Sequence, residues 1–194
     1  MTERVNRRDL IVETASQLFV EQGYNGTSVR QIADQVGCTE AALYYHFKEG
    51  KRALLRSVIE EQLPNLLSVV DACRDAQSLP ELVTVYGQSM ATIGPPRMEK
   101  LRWMLAEFPK FSPEEQEMVH RKHIVFHDAL TDLFEQFVKD KKQADHLAWL
   151  LICCGFGYGQ LFWNMNVQAV SDFKSHDMAA MLAKLFSAVE VAAE

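Results

Sequence analysis

Glycine and proline are scarce in this chain, nine and six of 194 residues, too few for a collagenous, linker-like or disordered protein. Cysteine is scarcer still. Cys38, Cys73, Cys153 and Cys154 include no C-x-x-C pair, which argues against a zinc knuckle or thioredoxin-type centre and fits reduced thiols in a cytoplasm. Basic charge is not in excess: 20 Lys and Arg face 26 Asp and Glu, a net −6. A wholesale basic coat for nucleic acid is thereby excluded, but a local one is not. The segment Met1 to Asp9 lacks the apolar stretch of a secretory signal. Catalytic signatures are missing as well. There is no G-x-S-x-G, P-loop, H-E-x-x-H or dinucleotide fingerprint, so the expectation is a protein that is not an enzyme, with no catalytic residues, cofactor or metal assigned.

One long run lacks charge, the 25 residues Leu147 to Ser171. A membrane helix needs about 20, but Gln160, Asn164, Asn166 and Gln168 load the second half with amides. A buried helix of a soluble all-α protein, with no membrane partner, is the expectation. With 48% apolar residues, a chain of this size buries roughly 70% of its unfolded surface and needs no disulfide or metal to fold.

Apolar residues recur at helical spacing almost throughout, without sustained alternation of period two. Leu10, Ala15, Leu18 and Phe19 form a stripe ending at Gly23; Val29, Ile32, Ala33 and Val36 form a second. Leu43 and Phe47 anchor a third, and Ala53, Leu54, Val58 and Ile59 begin a fourth that Pro64 kinks or ends. Further helices are predicted over about 79–93, closed by Gly94-Pro95-Pro96, then over 98–108, 113–139, 144–168 and 174–192. Ser112-Pro113-Glu114-Glu115 carries the signals of a helix start: a capping Ser, Pro at the first helical position and acids in the first turn. Residues 1–56 hold eight Lys and Arg against seven acids, a net +1, leaving −7 on the remainder. That asymmetry fits a small nucleic-acid-facing head on a larger acidic body.

The segment from Thr27 to Phe47 carries the decisive pattern. Ser28 and Gln31 have capping-box spacing, which fixes a helix start. Ile32, Ala33 and Val36 give that helix one buried face, Gly37 stands where a chain leaving a helix needs positive φ, and Thr39 can cap the next helix. Two short helices joined in this way form a helix-turn-helix, whose second helix fits a major groove. Leu43 and Phe47 hold it to the core, with Ala41, Ala42, Tyr45 and His46 facing outward.

Residues 8–56 resemble the N-terminal domain of the TetR (tetracycline repressor) family of bacterial transcription regulators. The resemblance rests on Ala15, Leu18 and Phe19, Gly23-Tyr24, Thr27-Ser28, Arg30-Gln31-Ile32-Ala33, Val36-Gly37, Leu43-Tyr44-Tyr45-His46-Phe47 and Ala53-Leu54-Leu55. It implies an all-α chain with a three-helix helix-turn-helix DNA-binding domain over 1–56, the motif at about 28–47, and a helical effector-binding and dimerisation domain over 57–194. It also implies a cytoplasmic, ligand-released dimeric repressor on a palindromic double-stranded operator. Arg30 then reaches a base, and an Arg can bind guanine bidentately. Ser28, Thr39, Tyr44, Tyr45 and Lys48 resemble the family's phosphate contacts. Ala41 and Ala42 let the backbone approach or meet thymine methyls, His46 is a contact or an interior residue, and Lys51 opens a further helix able to face phosphate. Two features depart from the family pattern. Glu40 puts an acid where many relatives have Lys or Ser, repelling phosphate but able to accept from cytosine N4. Lys48-Glu49-Gly50 puts three residues between Phe47 and Lys51 where two are common.

In the body, the 147–165 segment is apolar on two faces, so it is expected to be buried on both. The resemblance implies that the last two long helices pair with those of a second subunit. Leu161, Met178, Leu182, Leu185, Phe186 and Val189 are the candidate dimer interface. Trp103, Met104, Phe126, Trp149 and Trp163, with Glu107 and His123 as polar handles, are the candidate pocket for a small hydrophobic or aromatic effector, against the alternative of an ordinary core. His120, His123 and His127 share one helical face, either a solvated face or a zinc site. Cys153-Cys154 is either a pair of inert buried thiols or an oxidant sensor. The competing functional class is a helical interaction adaptor that has lost DNA binding.

Overall fold

Asn6 accepts a hydrogen bond from the Arg8 N–H and so opens the first helix, α1 (Arg7–Gly26). In the computed structural model, which describes residues 6–62 and 66–188, there follow α2 (Val29–Val36), α3 (Glu40–His46), α4 (Lys51–Ser57, prolonged by a π-helical turn Val58–Gln62), α5 (Leu67–Ala72), α6 (Leu79–Glu107), α7 (Pro113–Phe134), α8 (Lys141–Tyr158, prolonged by a π-helical turn Gly159–Asn164) and α9 (Ser175–Phe186). Among the described residues there is no strand, and no helix is long and apolar enough to cross a membrane. Pro64 lies outside the described residues.

Two units can be separated, Met1–Pro64 with Glu99–Val119 and Asn65–Met98 with His120–Glu194. They differ from the 1–56 and 57–194 division expected from the sequence. The reason is apolar burial. Trp103 and Met104 of α6, with Phe111 and Val119, join Ile11, Val12, Leu18 and Phe19 of α1, Ile32, Leu43 and Phe47 in a single core. Each such side chain contributes about 1.5–3 kcal/mol on leaving water. In the second unit, Leu82 and Tyr86, Leu130 and Phe134, Leu147 and Leu151, and Leu182 and Phe186 are buried. Gly155 lies against Tyr86, whose hydroxyl oxygen would stand 3.1 Å from an added Cβ.

Several predicted boundaries shift. Leu79–Ile93 and 98–108 are parts of one helix, α6, which continues through Gly94-Pro95-Pro96. α7 ends at Phe134 rather than near Lys139, the N–H groups of Phe137 and Val138 both turning back to the Phe134 carbonyl, and Asp140 then caps α8 by accepting from the Lys142 N–H. The short α5 was not anticipated. The start of α7 follows expectation: the Glu115 N–H donates to Ser112 Oγ at 3.3 Å and the Ser112 N–H to Glu115 Oε2 at 2.8 Å.

Candidate nucleic-acid interface

The helix-turn-helix is built by local hydrogen bonds. The Gln31 N–H donates to Ser28 Oγ at 3.1 Å and the Ser28 N–H to Gln31 Oε1 at 2.7 Å, a closed capping box at the start of α2. α2 ends on Gly37, whose φ of 73° lets its N–H turn back to the carbonyls of Ala33 and Asp34. Two residues later Thr39 Oγ1 accepts from the Ala42 N–H at 3.1 Å and opens α3. Leu43 and Phe47 are buried in the head core. Ala41, Tyr44, Tyr45 and His46 are exposed, and Ala42 is half-buried. Tyr45 is 81% exposed, with its ring meeting only the edge of His46 among the ring contacts described. Tyr44, the residue before it, is also exposed, at 45%.

The structure also sorts the head's cations. Arg8 pairs with Glu61, Arg56 with Glu49, and Arg52 with the buried Glu115. Lys51 Nζ donates to the carbonyls of Tyr24 (2.9 Å) and Thr27 (2.8 Å). Its burial pulls the ammonium below its ordinary pKa. Arg30 is exposed, with Asp34 one turn on at 3.9 Å, and Lys48 is exposed beside α3. Glu40 is exposed in the first turn of α3. Ser28, Arg30, Thr39, Glu40, Tyr45 and Lys48 are therefore all exposed, the first four at or near the starts of α2 and α3 and the last two at and beyond the end of α3. Lys51 is turned to the protein's own backbone instead of to solvent. The turn before α4 lies at the extra residue between Phe47 and Lys51 where the sequence departs from the family pattern. Gly50 holds φ 61° and ψ −129°, and an added Cβ would stand 2.9 Å from Tyr44 Cε1.

The candidate effector residues do not come together as one set. Trp103 stacks on Phe19 with centroids 5.7 Å apart, and Met104 is buried in the same head core. Glu107 pairs with Lys110 at 2.9 Å. In the second unit Phe126 is buried and His123 half-buried. Trp149 stacks on His127 at 4.3 Å, and Trp163 meets Tyr158 edge-on at 5.7 Å. His127 is buried, with Nδ1 3.1 Å from Asp128 and Nε2 3.2 Å from Asp145. The three histidines of α7 differ in burial, His120 exposed, His123 half-buried and His127 buried, and among the described residues no three His, Cys, Asp or Glu side chains are grouped to hold a metal ion. Cys153 is exposed, whereas burial raises the thiol pKa of Cys154.

The expected interface needs correction at two residues. Leu182 and Phe186 point into the chain's own core, Phe186 against Phe134 at 5.9 Å. The open side of α9 carries Met181 and Leu185, 60% and 64% exposed, with Met178 half-buried. Helical spacing identifies an apolar stripe, but here α9 is apolar on two sides, and only packing shows which side is covered. Leu161 is exposed, as are Trp149, Leu150 and Phe156 of α8. Val189 lies outside the described residues.

Residues 11–58 match the family model described as bacterial regulatory proteins, tetR family. The HTH-type transcriptional regulator LmrA of Bacillus subtilis (strain 168) is 35% identical over 69 residues, covering 36% of this chain and 37% of that protein. The aligned part thus spans about a third of the relative's length. Among solved structures, Salmonella enterica GusR superimposes with a TM-score of 0.69 at 20% identity, over 96% of each chain. AibR, solved with isovaleryl coenzyme A and operator DNA, gives 0.63 at 19% identity, over 93% of this chain and 98% of that one. At such identities the structural matches establish the fold.

Proposed function

We propose, from the premise that this chain belongs to the TetR family, that it is a DNA-binding transcriptional repressor, acting in the cytoplasm as a homodimer and released from its operator by a small apolar effector. The observation that carries this reading is α3: seven residues, capped by Thr39, anchored by Leu43 and Phe47, and presenting Tyr44 and Tyr45 to solvent. Arg30 is the base reader, and Ser28, Thr39, Tyr44, Tyr45 and Lys48 serve the phosphates through hydroxyls, helix starts and charge. Ala41 and Ala42 allow close approach, His46 flanks the contact, and Glu40 accepts from cytosine.

A second copy is the natural cover for the exposed apolar side chains of α8 and α9. A two-fold dimer would read a palindrome with half-sites about 34–36 Å apart. Binding of an effector that favours one separation of the two heads would lower operator affinity by differential binding. Support for ligand control comes from AibR, whose structure holds both an acyl coenzyme A and operator DNA. An apolar or aromatic effector suits the many aromatic and Met side chains of the body.

Titration of Arg30→Ala, Lys48→Ala and Glu40→Gln on the chain's own promoter and on random DNA, at two salt concentrations, tests the reading. Arg30→Ala is expected to cost about 1–3 kcal/mol on the cognate site alone. Lys48→Ala weakens both DNAs and lowers the salt slope by about one unit. Glu40→Gln strengthens random binding while weakening the cognate site or relaxing one position. Equal loss on both DNAs for Arg30→Ala makes Arg30 a backbone contact. A wild-type chain that retards neither DNA supports the adaptor instead, the reading favoured by Glu40 and the low charge of the head.

A further inference from the structure

Lys51 begins α4, where its position by sequence points toward phosphate, yet its ammonium is engaged inside the head. Nζ donates to the carbonyls of Tyr24 and Thr27 and stands 4.4 Å over the Tyr24 ring. The two carbonyls lie in the turn that follows the kink of α1 at Gly23: Tyr24 in its last residues, where the Thr27 N–H also donates to the same oxygen, and Thr27 just beyond Gly26 in extended conformation. Thr27 directly precedes Ser28, the cap of α2. The Thr27 hydroxyl donates back to the carbonyls of Leu18 and Gly23, closing the same turn from its other side. One lysine thus ties the start of α4 to the end of α1 and to the residue from which α2 departs.

We propose that Lys51 is a positioning residue for operator recognition: it fixes the direction in which α2 leaves α1, and so how α3 and Arg30 are presented, without touching phosphate. The proposal rests on the DNA-binding reading above. Its consequence is selective. Base-edge contacts require placement within about 0.5 Å, whereas attraction to phosphate is long-ranged and tolerates a small rotation of the motif. Losing the clamp should therefore remove discrimination between sequences and leave the electrostatic component intact.

The test compares Lys51→Met, Lys51→Arg and Lys48→Ala in the full chain, on cognate and random duplexes over a range of salt. Lys51→Met is expected to lower cognate affinity about tenfold or more, with random-DNA affinity within about twofold and the salt slope unchanged on both. Lys51→Arg, which also places donors at both carbonyls, restores most of the cognate affinity. A slope reduced by about one unit in Lys51→Met, as expected for Lys48→Ala, overturns the proposal and makes Lys51 a phosphate contact. An unchanged cognate-to-random ratio overturns it as well.

Should Lys51→Met fail to fold, acetylation of the wild-type chain by an N-hydroxysuccinimide ester decides the matter. A clamped Lys51 reacts equally with and without random DNA, while a phosphate contact is protected by DNA. Wild-type chain that binds no DNA removes the functional reading and this proposal together. Wild-type chain that binds, with a lowered slope in Lys51→Met, removes the proposal alone.

Discussion

Glu115 is a carboxylate sealed inside the head, its side chain 2% exposed, and its ion pair with Arg52 is where a single substitution should act most strongly. Oε1 accepts from Arg52 Nε at 3.0 Å, and Oε2 from Arg52 Nη2 at 3.3 Å and from the Ser112 N–H at 2.8 Å. Arg52→Ala leaves the charge buried with one backbone donor. Breaking a buried pair in this way costs about 3–5 kcal/mol. The Arg52 side chain is half exposed, so water can reach part of the vacated space, which lowers the expectation to about 2–3 kcal/mol. Glu115→Gln retains an oxygen for the Ser112 N–H and removes the charge, so it should be the milder change. In a double-mutant cycle the coupling between the two positions should be about 2 kcal/mol. Urea unfolding at fixed protein concentration measures it. With two units the chain need not unfold in one transition, so Trp103 fluorescence should report the head, with Trp149 and Trp163 replaced by Phe. A coupling under about 0.5 kcal/mol, typical of an exposed pair, would refute the argument that burial makes this contact strong.

Four further outcomes are expected. Gly50→Ala forces a side chain into φ 61°, with its Cβ 2.9 Å from Tyr44; it should cost about 1–3 kcal/mol in a thermal melt, and an unchanged midpoint would contradict the strain. Alkylation at pH 8 should modify Cys153 first and Cys73 last, since burial pushes the Cys73 thiol from 9.0 up to about 11, leaving it roughly 100-fold less thiolate than an ordinary thiol. The same shift means that the folded chain keeps a proton the unfolded chain releases, so stability should fall as pH rises from 9.0 through about 11; a flat denaturation profile across that window would count against it. Met181→Lys with Leu185→Lys should give a folded monomer in light scattering, whereas Leu182→Lys should destabilise the fold itself by burying a charge; dimers surviving the first pair would move the interface elsewhere.

What the sequence determined by itself was whatever depends on residues close along the chain. Ser28 with Gln31, Gly37 and Thr39 wrote out the start, stop and restart of the helix-turn-helix, because caps and left-handed turns are satisfied by backbone groups within about four residues. The inward role of Leu43 and Phe47 followed from their one-turn spacing, as did the start of α7 at Ser112. Tertiary structure decided what periodicity leaves degenerate. Trp103 and Met104 looked like lining for the body and instead fill the head, since nothing local says which core an apolar face will meet. Leu182 and Leu185 belong to the same apolar helix, and only the packing of Phe186 on Phe134 turned one in and the other out. Lys51, a phosphate ligand by position, became a clamp because two carbonyls 24 and 27 residues away in sequence lie within reach of its ammonium. A long-range partner of that kind depends on how the helices fold back on one another, a geometry that no short window of sequence contains.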